Sequence, residues 1–141
     1  MSRDIPGAVS LWVGVAPSQE ELMKYVDINY STNDASWISQ FADDFKTGYY
    51  DEDFMEVWVL AKATRSVSNL LRGCSYDSLL VPKFVEAFGE MLPSEINSVL
   101  LLYDFRHDGV PGQHSPWDSA VKLRYVGSIT VDVPWPVSTE W

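Results

Sequence analysis

Cysteine is almost absent from this chain of 141 residues: Cys74 stands alone. A single thiol cannot close an internal disulfide, so the fold does not depend on an oxidising compartment. A nucleophilic thiol wants a histidine beside it. His107 and His114, the two histidines present, lie far along the chain from Cys74, so a buried or half-buried structural thiol is expected. Basic side chains are scarce too: 10 Lys and Arg against 20 Asp and Glu, for a formal net charge of -10. A phosphate backbone or an anionic membrane is met by clustered cations. The sequence holds no such cluster, which argues against nucleic-acid and membrane partners. No apolar run approaches the roughly 20 residues that span a bilayer. The stretch "MSRDIPGAVSLWVG" carries no secretory apolar core with a small-residue cleavage site, so a cytoplasmic location is expected. Missing as well are the glycine-rich loops that cradle phosphate and the G-x-S-x-G elbow of serine hydrolases.

What is plentiful is material for a core. Hydrophobic residues make up 46% of the chain and aromatic residues 13%, with six tryptophans. The length is that of one domain and is enough to bury a core without disulfide or metal support. "VSLWVGV" from Val9 alternates as a strand with Val9, Leu11, Val13 and Val15 on one face. Ser18 reads as the N-cap of a following helix, with Glu21 completing a capping box. "SWISQFADDFKTG" reads as a second helix, capped by Ser36 and closed by Gly48. "FMEVWVLA" reads as a buried strand, although so short an apolar run also suits a helix. A short third helix ends at Gly73. Pro82 opens a fourth at its favoured first position, with a stripe of Phe84, Val85, Phe88, Met91 and Leu92. "INSVLLLYDF" has the character of a central strand covered on both sides. Residues 106–121 form a connector, in which two polar-loop histidines are expected to face solvent. "KLRYVGSITVDV" is the cleanest alternation, directing Leu123, Tyr125, Ile129, Val131 and Val133 inward. With no repeat and no linker, the expectation is one α+β domain over residues 1–141. It has about four strands in a mostly antiparallel or mixed sheet, with helices packed largely on one face.

One stretch resists a purely structural account. "GYYDEDFMEV" places Asp51, Glu52, Asp53 and Glu56 within six positions, and Asp43 and Asp44 lie just upstream. Six carboxylates thus fall within fourteen residues, opposed by Lys46 alone. Consecutive residues of an extended chain point to opposite sides, and the spacing is not that of a calcium loop, so no metal is expected there. His107 and His114, with Asp104, Asp108 and Asp118, lack the tight spacing or thiol partners of a zinc site. No cofactor motif is present. A carboxylate pair could serve a hydrolase if it lined a cleft. A solvated turn before a strand is the plain alternative. Like charge at this density nevertheless opposes folding, which makes a role in meeting a basic partner plausible.

"VSLWVG" followed by "SQEELMKYV", then "FADDFKTGYYDEDFMEV", "SVSNLLRGCSYDSLLVPKF" and "NSVLLLYDF", in that order, resembles the immunity protein 22 family of bacterial polymorphic-toxin systems. The likeness runs from about Val9 to Val131, and its most specific piece is Tyr50-Asp51-Glu52-Asp53-Phe54 with Glu56. The resemblance implies a non-catalytic antidote that binds the toxic domain of a cognate toxin, such as a nuclease with a basic groove. The free protein is expected to be a monomer. On that basis Asp51, Glu52, Asp53 and Glu56 are expected to belong to the toxin-facing surface. Tyr49 and Tyr50 would serve as aromatic anchors, and Asp43 and Asp44 would widen the negative field. A rival within this reading makes the Asp51–Glu56 run structural. Recognition would then pass to the 106–121 loop with Arg106, His107, His114 and Trp117, or to Trp135 and Trp141 of the tail. The reading from a different class is a small cytosolic hydrolase using the acidic cluster or the His107 and His114 loop.

Overall fold

The computed structural model describes residues 4–27, 39–47, 50, 52–116 and 118–132. Four strands, β1 (Asp4–Val15), β2 (Met55–Ser66), β3 (Met91–Phe105) and β4 (Lys122–Thr130), form one sheet in the order β2-β3-β1-β4. Every pairing is antiparallel. The described helices are α1 (Gln19–Val26), α2 (Gln40–Phe45), α3 (Val67–Leu71) and α4 (Asp77–Phe88), with a 3-10 turn at Glu52–Phe54. The α+β class and the four-stranded sheet are as expected.

The placement of the helices differs from expectation. In β1, Val9, Leu11 and Val13 enter a core shared with Leu70 and Leu71 of α3 and Leu80 and Phe84 of α4. Trp12, on the opposite side of the same strand, enters a second core with Leu22, Tyr25 and Val26 of α1 and Phe41 and Phe45 of α2. Residues that alternate along a strand point to opposite faces, so helices cover both faces of the sheet rather than largely one. β3 shows why. Val99, Leu100, Leu101 and Leu102 are all buried, and two apolar faces need two covers. The central position expected of this strand is observed.

Local chemistry sets most boundaries. Ser18 caps α1, its side chain accepting from the Glu21 N–H at 3.1 Å. The second helix starts later than expected. Ser39 accepts from the Ala42 N–H, and Lys46 closes the helix in a left-handed conformation at φ 55°; Ser36 and Gly48 lie outside the described residues. The fourth helix starts earlier. Tyr76, at φ 63°, breaks the chain, and Asp77 begins α4, leaving Pro82 inside it. Proline removes one helical hydrogen bond there, while Leu80 and Phe84 anchor the helix on the core. Gly89 (φ 93°) ends α4, so Met91 and Leu92 belong to β3 instead of the helical stripe.

β4 is corrected by a bulge. Tyr125 sits opposite Trp12, yet Gly127 sits opposite Leu11, two residues facing one. The extra residue switches the strand's faces. Leu123 and Tyr125 therefore enter the core of Trp12, while Ile129 and Val131 enter that of Leu11. Val133 lies outside the described residues. A Cβ at Gly127 would meet the Phe88 ring at 2.2 Å, so the ring of α4 closes over the bulge. Gly14 serves a similar end: a Cβ there would lie 1.8 Å from the Lys122 carbonyl oxygen, where β1 and β4 approach closely.

Both sheet edges are managed. Residues 112–115 run along the outer side of β4, with Gly112 N–H donating to Tyr125 O and Tyr125 N–H to Gln113 O, both at 2.8 Å. On the other edge, the Gln19 side chain donates to Val57 O at 3.0 Å and accepts from Val59 N–H at 2.8 Å. β2 is an edge strand with no buried side chain among those described, which corrects the expectation of a buried strand.

Candidate functional site

Glu56 is where β2, β3 and the α3–α4 turn meet. Its carboxylate accepts from Tyr103 OH on β3 at 2.7 Å and from the Ser75 backbone N–H at 3.0 and 3.1 Å. It also accepts from the indole N–H of Trp58 at 2.8 Å. Charged acceptors make the stronger hydrogen bonds of a protein, so Glu56 ties an edge strand to a turn and fixes the neighbouring indole. Burial, followed by the Glu56 carboxylate, raises the Tyr103 hydroxyl well above its ordinary value. Burial first, with Glu56 and Asp77 adding, pushes the Cys74 thiol up to about 12. The thiol is buried, as expected.

Among the described residues, two large aromatic side chains stand exposed around Glu56. Trp58 is 48% exposed and Tyr76 is 38% exposed. Tyr76 packs edge-on against Tyr103 at a ring separation of 6.1 Å. Asp53 is exposed at the start of this region, and Asp77 accepts from the Gly73 N–H at 2.9 Å. The result is an aromatic and acidic patch held in place by one carboxylate. Trp58 and Tyr76 were not singled out by sequence reasoning. An alternating apolar run does not reveal whether its strand is central or at an edge, and only an edge exposes Trp58.

The other expected site residues fall elsewhere. Tyr50 is 1% exposed. Its hydroxyl donates to Val26 O at 2.8 Å and pairs with Ser39 Oγ at 2.7 Å, and its ring packs on Phe41. A ring so enclosed presents no area to a partner, so Tyr50 holds α1 and α2 together rather than serving as a surface anchor. Asp43 pairs with Lys46 at 3.3 Å. Asp44 accepts from Tyr25 OH at 2.6 Å and from Gln40 at 2.8 Å; burial and this carboxylate raise the Tyr25 hydroxyl above its ordinary value. Both aspartates ride on α2, which covers the Trp12 face, whereas Glu56 bonds to Tyr103 of the opposite face. The run of six carboxylates is therefore split by the sheet. Tyr49, Asp51 and the side chain of Glu52 lie outside the described residues.

His107 is 4% exposed, contrary to expectation. Its ring stands edge-on to Tyr125 at 4.6 Å, and its Nε2 pairs with Gln113 Oε1 at 2.9 Å. The loop folds back along β4 and carries the ring inward. His114 is exposed and pairs through Nδ1 with the Ser115 carbonyl at 2.8 Å. Trp117, Trp135 and Trp141 lie outside the described residues. Among the described residues no group of three or more His, Cys, Asp or Glu could hold a metal ion, and no helix is long and apolar enough to cross a membrane.

No curated protein and no solved structure matches the chain significantly. The family described as Immunity protein 22 does match, over residues 9–132. That span takes in all of β2, β3 and β4, every described helix and the aromatic and acidic patch. With most of its 141 residues matched, the chain belongs to the immunity protein 22 family.

Proposed function

We propose that this protein is a non-catalytic antidote that binds the toxic domain of a cognate toxin and occludes its active site. The patch around Glu56, Trp58 and Tyr76 would face the toxin. The family match carries the class of function; the exposed indole beside an acidic cluster supports the choice of surface. Trp and Tyr are the side chains that most often anchor protein interfaces, and Glu56 holds Trp58 in one orientation before binding, which lowers the ordering cost of association. Asp53 and Asp77 supply negative potential at the rim. A net charge of -10 suits a toxin with a basic groove, of which a nuclease in the cytoplasm is the natural example. The antidote is a monomer when free. Tyr50 is no part of this surface, and Asp43 and Asp44, across the sheet, act on the toxin only at long range.

The test is co-expression with the toxin domain encoded beside this chain, reading growth and complex formation. Wild type restores growth. Trp58→Ala weakens the complex by about 2 kcal/mol or more, the scale of a central aromatic anchor. A toxin domain that kills in the presence of wild type and forms no complex with it would sink the proposal.

A further inference from the structure

A second surface lies at the far end of α4, and its charge is the reverse of the rest of the molecule. A groove of about 610 Å³ opens between the end of α4, the start of β3, the end of β1 and the beginning of β4. Its walls include Val15, Phe88 and Met91, which are 48%, 39% and 62% exposed. These are three of the eight large hydrophobic residues that the protein leaves exposed among the described ones. Its cations are Lys122 and Arg124, with His114 beside them. Among the described residues no Asp or Glu lines it, although the chain carries 20. Among the described residues neither Lys122 nor Arg124 pairs with a carboxylate; Lys122 donates to the Ser119 carbonyl at 2.7 Å.

The groove is shaped by the backbone. Val15 lies opposite Lys122, and Val13 opposite Arg124, so apolar and cationic side chains are set in fixed register along one strand pair. The close approach at Gly14 holds β1 and β4 together at this point. An apolar trough with cations at its rim is complementary to an apolar side chain with a carboxylate next to it. The volume is that of a site for a ligand or a few side chains, and contiguous exposed apolar surface marks an interaction site.

We infer that this groove is a docking site for a segment of the toxin domain that carries an apolar side chain beside a carboxylate. The inference rests on the toxin-binding reading above. Tyr76 immediately precedes α4 and Phe88 ends it, and its 12 residues span about 18 Å. That distance fits within one standard interface of roughly 800 Å² per partner. A toxin held at both ends of α4 would meet acidic side chains at one end and cationic ones at the other. Such a pairing fixes orientation and disfavours partners with a uniformly basic surface.

The test uses 8-anilinonaphthalene-1-sulfonate, an apolar aromatic with a fixed negative charge, as the probe of the groove in the full chain. Wild type is expected to bind the dye at one site. Arg124→Glu and Met91→Asp, both at exposed positions, are expected to weaken dye binding about tenfold, with circular dichroism and thermal unfolding showing that each variant is folded. The toxin domain is expected to displace the dye and to bind both variants about tenfold more weakly, the order seen when one good interface contact is lost. A wild type that does not bind the dye overturns the assignment. So does dye that stays bound while the toxin domain binds, or a toxin domain that binds the variants as tightly as wild type; both leave toxin binding itself standing. A toxin domain that forms no complex with wild type removes the functional reading and this inference with it.

Discussion

Glu56 joins three elements through the hydrogen bonds it accepts from Tyr103, Ser75 and Trp58. Truncation removes a charged acceptor from all three donors at once. Bonds to charged groups contribute about 1.5–3 kcal/mol, and a buried donor left unmatched adds a penalty. Ser75 O, 3.2 Å from Tyr103 OH, offers that hydroxyl a second acceptor, which moderates the loss. Glu56→Ala is expected to lower stability by about 2–3 kcal/mol in urea unfolding. A change below about 0.5 kcal/mol, the scale of an ordinary surface substitution, would mean that Glu56 does not organise the patch. The tyrosines give a test by pH. Burial raises the hydroxyls of Tyr25, Tyr103 and Tyr125 above their ordinary value of 10.0. For a group raised in the folded state, the stabilisation is complete below the unfolded value and is lost as pH climbs above it. Each such group removes about 1.4 kcal/mol per pH unit beyond that point. Stability should therefore be level near neutrality and fall steeply above about pH 10. Spectrophotometric titration at alkaline pH should find at least three of the seven tyrosines ionising only as the fold opens. Smooth ionisation of all seven with the fold intact would contradict the burial of these hydroxyls.

At the scale of elements, most of the secondary structure was readable in the sequence. The Ser18 cap and the apolar run of β3 are local signals, and both turned out as read. The errors came where a non-local choice decided. Alternation in β1 hid the burial of its polar-looking face, because Ser10 is buried and bonded to the Phe105 carbonyl at 2.7 Å. Alternation in β4 hid the bulge, since a single extra residue leaves no compositional trace. Pro82 misplaced the start of α4 because packing of Leu80 outweighed the local preference of proline. The edge position of β2 was also unreadable, and its cover is a side chain from another element. Gln19 supplies a donor and an acceptor to Val57 and Val59, as a neighbouring strand would. Gln19→Ala is expected to cost about 1–2 kcal/mol for two neutral bonds and to leave an open edge that pairs with other chains. Thermal unfolding reads the first effect. Concentration-dependent size-exclusion chromatography reads the second, and an unchanged elution volume with unchanged stability would show that Gln19 guards nothing.

On the scale of the whole molecule, sequence reasoning saw the charge and missed how the fold distributes it. Six carboxylates within fourteen residues looked like one surface, but the sheet puts Asp43 and Asp44 on one side and Glu56 on the other. Distance through the fold, rather than along the chain, then determines which charges steer a partner. At physiological ionic strength a charge acts over about 8 Å, so a toxin docking around Glu56 and Trp58 should feel Asp53, on the turn that leads into β2, more than Asp43, on the helix across the sheet. Stopped-flow association at about 0.05 M and 0.5 M salt separates the two, because rim charges act chiefly on the on-rate and its salt dependence. Wild type is expected to associate at least about tenfold faster at the lower salt, a modest case of electrostatic steering. Asp53→Asn should remove part of that difference, whereas Asp43→Asn, already paired with Lys46 at 3.3 Å, should leave it nearly intact. The reverse ranking would move the toxin to the α2 side of the sheet and make Trp58 a bystander. An on-rate indifferent to salt in all three proteins would mean that the net charge of -10 keeps the chain soluble and takes no part in finding its partner.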